Sequence, residues 1–121
     1  MLSCQAQAEE NLSHALVFCQ ANDRVGLQLY ECLREIQPSL QVDALLRLEL
    51  EVEEELELPV VWLTGCVFDI LWNLRQKSNS TVRGYQVRSQ LEAEINLLRE
   101  TRFSDAATKI EELAANMFYQ N

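Results

Sequence analysis

An apolar run from Leu58 to Leu74, LPVVWLTGCVFDILWNL, constrains the fold of this chain more than any other feature. Asp69 is the only charged residue in the run. A helix of this composition has to be buried on most of its sides, and a chain of 121 residues has few other elements with which to bury it. We therefore expect a bundle of helices around this segment, with a second copy of the chain covering what remains.

The composition predicts an all-α fold. Only three Gly and two Pro are present, so the chain has little turn chemistry. Leu, Glu, Gln, Ala and Arg are frequent, and all are strong helix formers. Apolar residues make up 48% of the chain, which indicates a folded core rather than disorder. We expect residues 1–121 to form a single-domain helical bundle of about six helices, built from antiparallel helical hairpins.

Apolar spacing and helix-breaking residues set the expected helix boundaries. Asn22 or Asp23 caps the second helix, and Pro38 ends it. Ser104 caps the last helix. The predicted helices cover residues 4–21, 23–37, 40–57, 59–76 and 81–101, followed by a sixth that begins at Ser104.

The segment 40–57 fits two patterns. Leu48, Leu50 and Val52 alternate with glutamates, which is typical of a strand. Apolar residues also recur at every third or fourth position, which is typical of a helix. Because Leu and Glu are strong helix formers and the segment is long, we expect a helix. Pro59 then breaks or kinks the chain and lies in the first turn of the next helix.

Charge is distributed unevenly, although the net charge of −9 is acidic overall. Residues 41–60 carry seven acids against Arg47 alone, whereas residues 71–90 carry four bases and no acid. The acidic block consists of Glu49, Glu51, Glu53, Glu54, Glu55 and Glu57, and the basic stretch consists of Arg75, Lys77, Arg83 and Arg88. Both sets suit solvated helix faces, and both also suit charged faces for partners or for head-to-tail pairing.

The sequence contains no recognisable catalytic, metal-binding or nucleotide-binding motif, so we expect a protein that is not an enzyme and needs no cofactor. His14 is the only histidine and has no cysteine at ligand spacing. The four cysteines form no CxxC pair and lie mostly in apolar helical context, which indicates free thiols in a reducing cytoplasm. The apolar run is short for a membrane span and contains Asp69, so we expect no membrane helix.

Two short segments resemble known helical families. The segment LLRETRFSDAA, from Leu97 to Ala107, resembles the turn between paired helices in tetratricopeptide repeats, which implies a helical hairpin there. The segment SNSTVR, from Ser78 to Arg83, resembles the start of the recognition helix in helix-turn-helix proteins, which implies contact with DNA.

These observations favour a protein-interaction module: a small cytoplasmic adaptor, chaperone or inhibitor that acts as an oligomer. We expect it to bind itself, as a homodimer, and an unidentified protein partner. The expected interface on the 59–76 helix consists of Trp62, Leu63, Val67, Ile70, Leu71 and Trp72. The alternative is a DNA-associated regulator that binds phosphates with the basic stretch of residues 75–88.

Overall fold

The computed structural model describes Val17, residues 22–77 and residues 82–119 of the chain. Within this part it contains no strand and five α-helices, which confirms the all-α fold. The helices are α1 (Val25–Ile36), α2 (Val42–Leu46), α3 (Glu54–Lys77), α4 (Gly84–Arg99) and α5 (Ser104–Tyr119). The expected number of six was wrong, since the described part holds five. The helix predicted at residues 4–21 lies outside the described residues, except for the buried Val17.

The helix predicted over residues 40–57 is not continuous. Only the five-residue α2 forms there, and its residue Leu45 is fully buried in the core. Leu48 then takes a left-handed conformation with φ 58°, and residues 49–53 form no regular secondary structure. The side-chain oxygen of Gln37 accepts a hydrogen bond from the backbone N–H of Glu51 at 2.9 Å. This bond satisfies a backbone donor that has no helical partner.

The boundary expected at Pro59 is also wrong, because α3 begins five residues earlier, at Glu54. Pro59 lies buried inside the helix, at its sixth position. Three acids occupy the first turn of α3, where negative charge stabilises the N-terminal end of a helix. Those glutamates therefore belong to the long apolar helix rather than to the end of a preceding one.

Helix α5 packs against α1, α3 and α4, and α3 also packs against α1 and α4. Residues 100–103 connect α4 to α5 as an antiparallel hairpin, which agrees with the hairpin implied for the segment 97–107. Arg99 and Glu111 form an ion pair across this hairpin. One apolar core joins all these helices, and its fully buried large side chains include Leu29, Leu33, Leu63, Leu71, Leu91 and Ile110.

The turn before α1 ties the ends of two other helices together. The amide oxygen of the buried Asn22 accepts a hydrogen bond from the Arg75 guanidinium at 3.3 Å, near the end of α3. The Asp23 carboxylate accepts the backbone N–H of Gly84 at 2.8 Å, at the first residue of α4. Asp23 was expected as a candidate cap for α1. Instead Arg24 stands at that position without a side-chain cap, and Asp23 binds the start of α4.

Asn22→Ala tests the importance of this turn. The substitution removes the hydrogen bond that the buried Asn22 accepts from the Arg75 guanidinium, and a hydrogen bond to a charged group contributes about 1.5–3 kcal/mol. We expect the free energy of unfolding, measured by urea titration, to fall by about that amount. Asn73→Ala serves as the control because Asn73 is exposed, and its effect should stay within about 0.5 kcal/mol. Equal effects of the two substitutions would contradict a structural role for the turn.

Candidate partner-binding surfaces

Four of the six residues expected at an interface lie inside the chain's own core. Leu63, Val67 and Leu71 are fully buried, and Ile70 is nearly so. The helices of one chain therefore cover this side of α3 at these four positions, without a second copy. The other two residues have accessible surface: Trp62 is half-buried and Trp72 is 43% exposed. Homodimerisation itself stays a prediction.

An apolar groove of about 260 Å³ lies where the first half of α3 meets the α4–α5 hairpin. Its walls are Leu58, Trp62, Leu98, Phe103, Ala106 and Ile110, and we call it the apolar groove. Leu58 and Trp62 lie one turn apart on α3, and Ala106 and Ile110 lie one turn apart on α5, so two helical rows face each other. Leu58 is 50% exposed and Phe103 is 40% exposed, so the groove presents two large apolar side chains to solvent.

Acidic side chains border one end of the apolar groove. Glu54 and Glu55 precede Leu58 by four and three residues, so they lie on the same side of α3. Both are exposed, and neither has a hydrogen-bond or ion-pair partner in the part of the chain that the structure describes. At the hairpin, the Arg102 guanidinium lies over the Phe103 ring at 5.0 Å from its centroid. The groove thus offers an apolar floor with negative charge at its α3 end.

The rest of the acidic block does not share this helix face. Glu49, Glu51 and Glu53 are exposed in the irregular segment before α3, and Glu49 pairs with Arg47 at 3.0 Å. Glu57 is exposed in the first turn of α3. Exposure of these side chains fits both interpretations of the block, and Glu54 and Glu55 are the two members that share the side of α3 with Leu58.

The basic stretch is divided between buried and exposed positions. Arg75 is half-buried against Asn22, and the half-buried Arg88 lies 4.0 Å from the Glu92 carboxylate. Lys77 and Arg83 are exposed. Residues 78–81, which include most of the segment that resembles a recognition helix, lie outside the described residues. DNA binding through this stretch stays a prediction.

Two of the cysteines lie in the described part, and both are free thiols. Cys32 is buried, and its thiol donates to the Leu113 carbonyl with 3.8 Å between sulfur and oxygen. Cys66 is half-buried on α3. Burial raises the pKa of the Cys66 thiol to about 11, and the negative charges of Glu94 and Asp69 add to the shift. Burial and Glu35 also raise the pKa of Cys32. Cysteines with raised pKa values are poor nucleophiles near neutral pH.

This shift predicts slow alkylation of Cys66. At pH 8 a thiol with a pKa of about 8.5 is roughly one quarter thiolate, whereas one with a pKa of about 11 is roughly 0.1% thiolate. A more basic thiolate reacts faster, which recovers part of the difference. We expect iodoacetamide to label Cys66 about 10–100-fold more slowly in the folded protein than in urea, as measured by peptide mass spectrometry. The folded rate should rise as the pH approaches 11. Equal rates in the two states would contradict the shift.

The described residues hold no group of three or more His, Cys, Asp and Glu side chains placed to bind a metal ion. Among the described helices, none combines the length and the hydropathy needed to cross a bilayer. No protein-family model, no curated protein and no solved structure matches the chain. Function is therefore inferred from the chain's own surfaces.

Sequence reasoning missed most of the apolar groove. It selected Trp62 but not Leu58, Leu98 or Phe103, which come together only after the hairpin packs against α3. One local feature did mark the site: Phe103 is a large apolar residue in a short connection between two helices, where polar residues are usual.

Leu63→Ala tests whether one chain buries the inner side of α3. Removing a fully buried leucine side chain leaves a cavity, and such substitutions cost about 2–5 kcal/mol. We expect a loss of that size at every protein concentration, because the burial occurs within a single chain. The control, Leu97→Ala, changes a residue that is 61% exposed and should cost far less. A loss for Leu63→Ala that varied with concentration would instead indicate burial by a second copy.

Proposed function

We propose that this chain is a non-catalytic protein-interaction module that binds a segment of another polypeptide in its apolar groove. The observation that carries the proposal is the exposure of Leu58 and Phe103 in one concave surface, which Trp62 also lines. Exposed apolar surface of this kind is characteristic of binding grooves. Free thiols at Cys32 and Cys66 favour a reducing compartment, and we place this activity in the cytoplasm.

The size of the groove favours a side-chain anchor as its ligand. Its volume of about 260 Å³ lies below the range of about 300–1,000 Å³ that is usual for pockets of small molecules and cofactors. One or two apolar side chains of a peptide fill such a space. Each contributes about 1.5–3 kcal/mol when it leaves water, before the entropic cost of association is subtracted.

The charge beside the groove favours a basic partner. Glu54 and Glu55 lie at its α3 end without partners in the described part of the chain, and the whole protein carries a net charge of −9. Lysine or arginine next to the apolar anchor would complement these carboxylates. Complementary charge of this kind mainly accelerates association and selects between partners. The partner we propose is therefore an amphipathic segment with an apolar anchor and flanking basic residues.

Selection from a random peptide library, with the purified protein as bait, tests this function. We expect the recovered peptides to share an apolar residue flanked by Lys or Arg. Phe103→Ser removes part of the groove wall, and Ala106→Gln fills the groove. Each should weaken binding of a recovered peptide at least about 10-fold, which corresponds to about 1.4 kcal/mol. Tyr85→Ser is the matched control, since Tyr85 is an exposed aromatic residue outside the groove.

The role of charge is tested with the double variant Glu54→Gln/Glu55→Gln. It should weaken binding of the same peptide more at low salt than at high salt, because screening already reduces the attraction at high salt. Recovery of peptides without the apolar–basic pattern would overturn the proposal. So would peptides that bind Phe103→Ser and Ala106→Gln as tightly as the unaltered protein.

A further inference from the structure

A stripe of residues with accessible surface runs along the side of α3 opposite its fully buried row. Leu58, Trp62, Gly65, Asp69 and Trp72 follow one another at alternating spacings of four and three residues. This heptad spacing places them in a single stripe, which we call the outer stripe of α3. Each of the five has accessible surface, in contrast to the buried residues on the other side of the same helix.

Gly65 stands at the centre of the outer stripe, and nothing in the described part of the chain requires a glycine there. It does not adopt a positive φ, and a Cβ atom added to it would meet no atom of the described residues within 4 Å. Glycine in the interior of a helix is less stable than alanine. Its usual advantage is that another backbone is able to approach closely. The free space at Gly65 thus lies on the outside of the molecule.

The rest of α3 is arranged around Gly65 in a way that suits pairing with itself. Leu58 precedes Gly65 by seven residues, and Trp72 follows it by seven. Acids occupy the first turn of α3, whereas the last turn carries the exposed Lys77 and also Arg75, which is half-buried and bonded to Asn22. A second α3 laid antiparallel across this face brings acidic turns against basic turns at both ends. A parallel arrangement would bring like charges together, which is unfavourable.

We propose that a second copy of this chain packs on the outer stripe of α3, with the two α3 helices antiparallel and crossing at Gly65. Leu58 then lies against the partner's Trp72, and the two-fold symmetry repeats this contact. Asp69, four residues after Gly65, comes opposite the partner's Trp62, whose indole N–H is a hydrogen-bond donor. The outer stripe, from Leu58 to Trp72, is about 21 Å long along the helix axis. The inference rests on the proposed function as an interaction module, and it supplies one partner and its orientation.

The outer stripe and the apolar groove overlap at Leu58 and Trp62, but each has residues of its own. Gly65 and Trp72 belong to the stripe alone, whereas Leu98 and Phe103 belong to the groove alone. Substitutions at these positions therefore separate the two surfaces. A peptide in the groove and a second copy on the stripe should also compete for Leu58 and Trp62.

Sedimentation velocity of the full chain between 1 and about 100 µM tests the proposal. We expect a species of about twice the 14.0 kDa chain mass at the upper concentrations. Gly65→Gln blocks the crossing point, and the Cβ atom that it adds meets no described atom of the same chain within 4 Å. It should weaken dimerisation at least 10-fold and leave the thermal unfolding of the monomer intact. Phe103→Ser is the control, because it lies outside the stripe and should leave dimerisation unchanged.

The antiparallel orientation has a test of its own. Lys77→Glu should weaken the dimer. Adding Glu55→Lys in the same chain should restore it, because one positive and one negative charge then change places between the two ends of α3. Failure of that rescue would overturn the orientation. A 14.0 kDa monomer at 100 µM, or a Gly65→Gln variant that dimerises like the unaltered chain, would overturn the pairing. Peptide binding that is lost in Phe103→Ser and kept in Gly65→Gln would leave the proposed function standing in either case.

Discussion

Exclusion of water from the inner side of α3 is the requirement on which the rest of this structure depends. Val60, Leu63, Val67 and Leu71 form one fully buried row, and α1, α4 and α5 each take part in covering it. Burying four such side chains contributes roughly 1.5–3 kcal/mol each, whereas a typical neutral hydrogen bond contributes about 0.5–1.5 kcal/mol net. Because three helices cover this row, the opposite side of α3, which carries Asp69 and Trp72, stays accessible to solvent.

Polar contacts fix how these helices are aligned, since apolar burial alone has no direction. Asn22 and Asp23 hold the ends of α3 and α4 beside the start of α1. At the other end of α1, the Tyr30 hydroxyl donates to the Leu40 carbonyl at 3.0 Å, and Gln37 accepts from the Glu51 N–H. Three of these four contacts use a backbone N–H or C=O group in a loop or at a helix end, whereas Asn22 and Arg75 are joined through their side chains.

Local sequence patterns predicted the presence of α1, α4 and α5, because each has a single apolar stripe at helical spacing, although α4 begins at Gly84 rather than at residue 81. They failed for residues 40–57, where strand and helix spacings coincide and a distant partner, Gln37, holds the chain in an irregular path. They also failed for Asp23, which binds Gly84 across 61 residues of sequence. The apolar groove combines residues near positions 60, 100 and 106, so no single segment indicated it.

The position of Pro59 has a consequence for one wall of the apolar groove. Proline has no backbone N–H, so the Glu55 carbonyl lacks the donor that a helix normally provides four residues later. The first turn of α3 is held by one hydrogen bond fewer than the turns that follow, and its transient unwinding costs less free energy. Leu58 stands in this turn. One wall of the groove therefore stands beside a turn of α3 that lacks one helical hydrogen bond, whereas the other wall stands on the α4–α5 hairpin.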